Sequence, residues 1–480
     1  MVSVVADSAT TLTLLIDRLS WPVKLVRWRA AKAIKSLIEQ ESTRQAATAA
    51  LLHWIAKRRF ESEVVSGLSV FLVTLPEARP NFETACANIG KPSILSDLII
   101  ERMYEGRHCG GWDIGHSGAP PTSFVPSAYF EEHKAAQIPA IFSLKVQDLE
   151  ECYGFPFRAQ WAYEWECLTD QTNTVKTGYS NYFGDYGLQR SGVIGQFVQR
   201  QSEVYRSAYL RMLAYAVFAW GMPARAAAKH VLVAMSVLPD LFEVEPQQRP
   251  QWLGNVPAQC LQETPDLDAI GRRILKASKN AKDTMVAVYT PFPAKLAEFG
   301  ELTMSAFFVT EDFIPFEGQV LGPINTFIFP DSFGFDTTLQ VPDLEFIEGQ
   351  KGNAISVCSL SLIALHGFWH DDYSHRGFLL PAPYCFENQI SQRAEVDGLK
   401  LFLAGVEIAK TTFWHDAWTP LHSKDCSTRC GLLTTMKTDI LVAAAKRLGR
   451  KVGWSVKVVV LEKGDYISDR AQTIRTSFFM

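Results

Sequence analysis

The spacing of apolar residues changes once along this chain, and that change constrains the fold more than any other feature. Before about residue 250, apolar positions recur every three or four residues, as in Val64, Leu68 and Phe71, which is the period of an amphipathic helix. From residue 284 onward, β-branched and aromatic runs alternate with Gly, Pro and Asp, which is typical of strands. We therefore expect an α+β, multidomain fold.

The first 104 residues are expected to form stacked helix pairs. Pro22 suits the first turn of a helix, where its missing N–H removes no hydrogen bond, and Ser42 with Gln45 matches a capping box for the next helix. That next helix is expected to bury Ala46, Ala47, Ala50, Leu51, Trp54 and Ile55. Further helices are expected over Glu61–Val73, Phe82–Asn88 and Ile94–Met103.

One of these helices has a pattern of its own. The stretch from Pro22 to Ile34 holds a Pro, then the pair Val26-Arg27, then small alanines, and it resembles a HEAT repeat. The resemblance extends over roughly residues 7–104, about a fifth of the chain, although only this one unit matches well. It implies a helical solenoid used as a binding surface, because each repeat must stack on another to bury its apolar face. A generic amphipathic bundle is the alternative, since Ala-rich helices are common in bundles.

Residues 105–125 interrupt the helices with Gly and Pro and predict a loop connection. Four side chains in this loop have the chemistry of a metal or nucleophile site: His108, Cys109, Asp113 and His116. A plain connection is the favoured interpretation. We expect a loop-linked, mostly helical middle domain over 105–250, separate from a first domain over 1–104.

A long helix is expected over Gly187–Trp220, with three arginines among its apolar positions: Arg200, Arg206 and Arg211. We interpret the arginines as the solvated edge of a core helix. Stacking of nucleobases or anchoring of a protein partner are the alternatives for this tyrosine-rich surface. Prolines between 240 and 283 mark a boundary, after which a short basic helix contains Arg272 and Lys276.

A C-terminal domain with a mixed α/β sheet is expected over 280–480. Strands are predicted at Met285–Tyr289, Ser305–Val309, Asn325–Phe329, Ala354–Leu365, Leu399–Ile408 and Trp454–Leu461. A helical stripe from Leu432 to Leu448, followed by the strand at 454, indicates an α/β unit. The apolar end of the chain, Ser477–Met480, is expected to be packed as a last strand.

Composition narrows the function classes. Hydrophobic residues make up 47% of the chain, which is ample for folded domains. The formal charge is −4, so the net charge does not indicate nucleic-acid binding. The first basic residue is Arg18, so no secretory signal is expected, and the most apolar run, Leu213–Met222, is too short to span a bilayer. Nine scattered cysteines predict reduced thiols, and we expect a cytoplasmic protein with no membrane partner.

Several common nucleotide-binding and hydrolase motifs are absent: the sequence has no P-loop, no dinucleotide-binding glycine motif, no G-x-S-x-G and no H-E-x-x-H. The tetrapeptide Phe-Trp-His-Asp occurs twice, and it supplies the candidate catalytic residues His370, Asp371, His415 and Asp416. A His beside an Asp is the pair that fixes an imidazole tautomer for acid–base work. The candidate metal ligands are His415, His422, Cys426 and Cys430, whose nitrogen and sulfur atoms suit zinc if a loop brings them together. No other cofactor is expected.

A nuclease pattern is also present in loose form. It combines Asp343, Glu395 or Asp397, and Glu407 with Lys410, and it resembles the metal site of restriction-type nucleases. Such sites use carboxylates to hold Mg²⁺ and a lysine beside the attacked phosphate. The spacing from Glu407 to Lys410 is one residue too long for both to face one side of a regular strand.

Two functions follow from these patterns. The first is a protein-interaction or scaffold component of a multiprotein system, which binds a protein partner through its helical-repeat surface. The second is a metal-assisted hydrolase, in its nuclease form acting on nucleic acid, with a His/Asp/Cys site in the C-terminal domain.

Overall fold

The computed structural model describes residues 8–21, 24–125, 140–174, 192–234, 245, 247–253, 265–278, 282–293, 298–314, 353–360, 379–386, 390–395, 397–415, 430–462 and 472–480. These residues form two compact units. The helical unit contains the described residues up to 234, and the sheet unit contains those from 245 onward. The α+β class expected from the sequence is confirmed.

The helical unit is built from ten α-helices within its described residues. They are α1 Ser8–Arg18, α2 Lys24–Glu39, α3 Glu41–Ala56, α4 Glu61–Val73, α5 Phe82–Ala87, α6 Ile94–Met103, α7 Ala140–Tyr153, α8 Phe157–Thr172, α9 Gly192–Ala219 and α10 Ala224–Ala228. The predicted helices at 61–73 and 94–103 are confirmed with their bounds.

Helix α4 is the centre of this unit. Its neighbours α2, α3, α6 and α9 all pack against it, and Val64, Leu68 and Phe71 are completely buried. Gly67 permits close approach of α3, because a Cβ atom at this position would lie 2.5 Å from Cγ1 of Ile55. Helices α1, α2 and α3 pack on one another in chain order. The match of this arrangement to HEAT repeats stays a prediction.

The start of helix α3 differs from the capping box predicted at Ser42 and Gln45. Helix α3 begins at Glu41 with Gln40 as its N-cap, so Ser42 lies inside the first turn and the capping box with Gln45 is wrong. A reciprocal capping box does occur at α6, where Ser93 and Ser96 exchange side-chain and backbone hydrogen bonds of 2.7 and 3.1 Å. Ala46, expected to be buried, is exposed.

The sheet unit contains eleven strands and two α-helices within its described residues. They are α11 Leu267–Ser278, β1 Asp283–Pro293, β2 Glu298–Val309, β3 Ala354–Ser356, β4 Cys358–Leu360, β5 Leu379–Pro381, β6 Ile390–Glu395, β7 Gly398–Leu403, β8 Val406–His415, β9 Cys430–Lys437, α12 Thr438–Arg447, β10 Lys451–Glu462 and β11 Gln472–Phe479.

The main sheet is antiparallel in every described pairing. Its order is β11-β10-β2-β1-β9-β8-β7-β6, and β3 adds to one end of β2. The sequence-based expectation of an α/β unit is therefore corrected in one respect: α12 connects β9 to β10 across two intervening strands, without a parallel pair. The last strand expected at the C-terminus is confirmed as β11.

Two further predictions in this unit are wrong in their details. The run 399–408 is not one strand, because it turns at Ala404-Gly405 between β7 and β8. Leu432, Leu433 and Met436 lie in strand β9, and the helix begins only at Thr438. Their spacing fits both periods, and pairing of β9 with β1 and β8 decides for the strand. The strand predicted at 325–329 lies outside the described residues.

Helix α11 covers one part of the sheet with its apolar side. Leu267, Ile270 and Ile274 join the sheet residues in one core. Gly271 makes the contact close, because a Cβ atom there would lie 2.4 Å from the ring of Phe479. The basic residue Arg272 stays exposed and pairs with Asp268 at 2.8 Å. The solvated face expected for this helix is thus present.

The described cysteines are in two chemical states, and both states occur in the helical unit, where Cys152 and Cys167 are free. Cys86 and Cys109 form a disulfide in the helical unit, with their Cα atoms 5.6 Å apart, so the expectation of reduced thiols is wrong for this pair. Cys358 and Cys385 are free and buried in the sheet unit. Among the described residues, no helix has both the length and the apolar character needed to cross a membrane.

Candidate functional site

The expected His/Asp/Cys site falls mostly on undescribed residues. His370, Asp371, Asp416, His422 and Cys426 lie outside the residues that the structure describes. His415 ends β8 and Cys430 begins β9, and the two are register partners across the strand pair. Cys430 therefore starts a strand, whereas the helical stripe expected from Leu432 onward would have placed it just before a helix. Within the described residues, no group of three or more His, Cys, Asp or Glu could hold a metal ion.

The loop at 105–125 is an ordered connection. Asp97 on α6 accepts backbone N–H bonds from Cys109 and Gly110, at 2.8 and 3.1 Å, and one from the Trp112 indole at 3.2 Å. Further along, Ser117 donates its hydroxyl to Glu164 of α8 at 2.7 Å.

The four candidate side chains in this loop do not form one site. Cys109 is committed to its disulfide, His116 accepts a bond from the Gly118 N–H on Nδ1, and His108 is exposed near Asp97. Burial lowers the pKa of His116 below its usual value of 6.5. The connection expected from the Gly and Pro content is confirmed.

The loose nuclease pattern does come together on the β6–β7–β8 meander. A β-bulge makes this happen, because Leu401 pairs with Ala409 while Phe402 pairs with Glu407, which leaves one extra residue on β8. Glu407 and Lys410 thereby share a face, although their spacing is wrong for a regular strand. Asp397 and Glu395 join them, whereas Asp343 lies outside the described residues.

Lysines occupy the space between these carboxylates. Nζ of Lys400 lies 2.6 Å from Glu395, 3.3 Å from Glu407 and 3.6 Å from Asp397. Lys410 pairs with Asp397 and holds the pKa of that carboxyl below its usual value. The carboxylates are between about a third and a half exposed, so this is a solvated ion-pair network. A divalent cation would have to displace Lys400 to bind here.

The helical unit contains a second set of charges, and these are buried. Nη1 of Arg27 on α2 and Nη1 of Arg206 on α9 lie 3.5 and 3.2 Å from the same Glu203 oxygen, and the Ser62 hydroxyl donates to the other oxygen. Arg211 donates to Glu61 at 2.8 Å. The network joins α2, α4 and α9 at the first turn of α4.

The sequence-based interpretation of the α9 arginines is wrong for Arg206 and Arg211, whereas the side chain of Arg200 lies outside what the structure describes. Arg206 and Arg211 are only 2% and 5% exposed, so they do not form a solvated edge. Their partners Glu203 and Glu61 lie three and 150 residues away, and no periodicity on α9 reveals the second pair. The short spacing of Glu203, Arg206 and Ser207 was the one local sign of a polar stripe on this helix.

A pocket opens beside this network, at the turn between α3 and α4. Its volume is about 240 Å³, and its lining residues are Lys57, Arg58, Arg59, Phe60, Glu63 and Thr172. None of these six residues belongs to a site expected from the sequence. Three consecutive basic residues between two apolar helices, at 57–59, were the pattern that indicated it.

Glu63 is the acidic group of the pocket. Burial raises the pKa of Glu63 to about 7, and the nearby Glu203 adds to the rise. The Arg58 guanidinium, 3.7 Å away, and the backbone N–H groups of Arg59 and Phe60 oppose it. A carboxyl with a pKa near neutrality changes its charge in the physiological range, so the net charge of the pocket depends on pH.

Comparison with known proteins adds no assignment, since no protein-family model and no curated protein matches the chain.

Proposed function

We propose that this chain is an interaction protein, a scaffold component that binds a protein partner through its stacked N-terminal helices. The observation that carries the proposal is the exposed face of α3. Its exposed residues after Glu41 follow helical spacing: Ser42, Gln45, Ala46, Ala49, His53 and Ala56. None of them is Asp, Glu, Lys or Arg.

An exposed helix face is normally rich in charged residues, because these solvate well. Small uncharged residues instead permit another helix to approach closely, and alanine has the highest helix propensity, so the face costs nothing in helix stability. The resemblance to HEAT repeats supports the same function, because such repeats bind partners along a stacked helical surface.

The test places charge on this face without changing the core. In Ala46→Glu combined with Ala49→Glu, both exposed alanines become acidic, and we expect the partner that copurifies with the full chain to be lost by at least about tenfold. Ala159→Glu, on the exposed side of α8, is the matched control and should retain the partner. Retention of every partner by the double variant, with unchanged circular dichroism, would reject the proposal.

A metal-assisted hydrolase is the second candidate, and the register pairing of His415 with Cys430 favours it. Two of the four proposed zinc ligands thereby lie on facing strand ends. In the zinc form of this hypothesis, the purified protein holds about one equivalent of zinc, which Cys430→Ser reduces. Less than about a tenth of an equivalent in the wild-type protein would remove the zinc form. A cleavage assay with Mg²⁺ tests the nuclease form, because Mg²⁺ binds too weakly for metal analysis.

A further inference from the structure

The pocket at the α3–α4 turn has an excess of positive charge that the described residues do not neutralise. Lys57 and Arg59 are exposed, and neither side chain has an ion-pair or hydrogen-bond partner within the described part of the chain. Glu63 is the only acidic residue among the six that line the cavity. Three basic groups therefore face one carboxyl.

The third basic group, Arg58, is held in place by the protein. Its guanidinium stacks over the Trp54 ring at 4.4 Å, and its Nε donates to the Trp54 carbonyl at 3.0 Å. Nη1 donates to the Ser20 hydroxyl at 3.3 Å. Arg58 is thus a fixed cation that lies between the long side chains of Lys57 and Arg59. This arrangement suits a compact anion, because Arg58 does not have to reorganise when the anion binds.

The carboxyl of Glu63 cancels only part of this charge at neutral pH, because a pKa of about 7 leaves a fraction of it protonated. Its environment favours the neutral form, because Glu203 lies nearby and burial removes water, while Arg58 opposes these effects. When Glu63 is protonated, the lining carries three positive charges and no negative one. The N-terminus of α4 begins at Glu61 on the same turn, so the helix dipole adds to the positive potential.

We propose that this pocket binds the phosphate group of a small phosphorylated compound. The pocket volume of about 240 Å³ accommodates one or two phosphoryl groups but is below the usual size for a drug-sized ligand. Lys57 and Arg59 close over the phosphate oxygens, Arg58 supplies the fixed charge, and Thr172 completes the lining.

The test is a calorimetric titration of the full chain with inorganic pyrophosphate, and inorganic phosphate is the smaller probe. We expect saturable binding that Lys57→Ala and Arg59→Ala each weaken by about tenfold, since a hydrogen bond to a charged group contributes that much. Arg225→Ala, an exposed arginine on α10, removes the same charge elsewhere and should leave the affinity unchanged.

Two further arms separate a built pocket from a generally basic surface. The phosphate probes lose protons in the same pH range, so the pH arm compares two proteins with one probe. As the pH rises through 7, the affinity of the wild-type protein should fall relative to that of Glu63→Gln, because Glu63 ionises while the glutamine amide stays neutral and its oxygen still accepts the Arg59 and Phe60 N–H bonds. Citrate, a carboxylate of similar charge, should bind at least about tenfold more weakly than pyrophosphate. Absence of pyrophosphate binding, equal binding of citrate, or equal loss in Arg225→Ala would each overturn the proposal.

Discussion

Each unit contains a network of ion pairs, and the two networks differ in their exposure to water. In the helical unit, Glu203 and Arg206 are buried and bound to each other. In the sheet unit, Lys400 and its carboxylates form the solvated network on the two hairpins of the β6–β7–β8 meander, which we call the hairpin network. The pair distances are similar, yet the energetic consequences differ. Water screens the hairpin pairs, while a buried charge that loses its partner has no water to replace it. Distance alone therefore does not measure what an ion pair contributes.

The largest expected effect breaks the buried network. Glu203→Ala leaves Arg27 and Arg206 without the carboxylate that both of them approach, so we expect a loss of about 3–5 kcal/mol in the free energy of unfolding of the helical unit. Chemical denaturation followed by far-UV circular dichroism measures it. Glu151→Ala, at an exposed position of α7, is the control and should change stability by less than about 0.5 kcal/mol. Equal effects of the two variants would contradict the comparison.

The disulfide gives a second prediction for the stability of the helical unit. Cys86→Ser opens a loop with a sequence separation of 23 residues, and we expect a loss of about 3 kcal/mol from the helical unit. Cys358 should remain a thiol that reacts with alkylating reagents only on unfolding, because burial raises its pKa. Peptide mapping without reductant tests both statements. Full alkylation of Cys86 in the native protein would refute the disulfide.

The third prediction concerns pH and Glu63. Because the pKa of this carboxyl is raised in the folded state from 4.5 to about 7, the native protein binds a proton that the unfolded chain releases between these values. Stability from this group is therefore full below pH 4.5 and falls as the pH rises through 7. The loss should be roughly 3 kcal/mol, and Glu63→Gln should not show it. Parallel pH profiles of the two proteins would show that Glu63 titrates normally.

The smallest effect is expected for the solvated network of the sheet unit. Lys400→Ala removes the ammonium at the centre of the hairpin network, and we expect a loss of no more than about 1 kcal/mol, which decreases further in high salt. Thermal unfolding of the sheet unit in low and high salt measures it. A loss as large as that of Glu203→Ala would mean that the hairpin pairs are not screened.

Much of the helical fold could be predicted from local sequence. The helix at 94–103 has a serine N-cap and a regular apolar period, both of which act within a few residues, and its bounds were confirmed. The residues Leu432, Leu433 and Met436 fit two periods equally, and only their pairing with distant β1 placed them in a strand. For the candidate sites, sequence placed His415 and Cys430 in one patch, and the strand register brought these two together.

The sequence by itself determined where most helices lie, because helix periodicity and caps are short-range properties of the chain. Only the tertiary structure decided three other matters: that Arg206 and Arg211 are buried, that a bulge aligns Glu407 with Lys410, and that the basic turn at 57–59 opens into a pocket. Each of these features depends on residues from a distant segment of the chain that pack beside the residue concerned. Those residues determine how much water reaches a charged group, and therefore how strongly the group interacts with its partners.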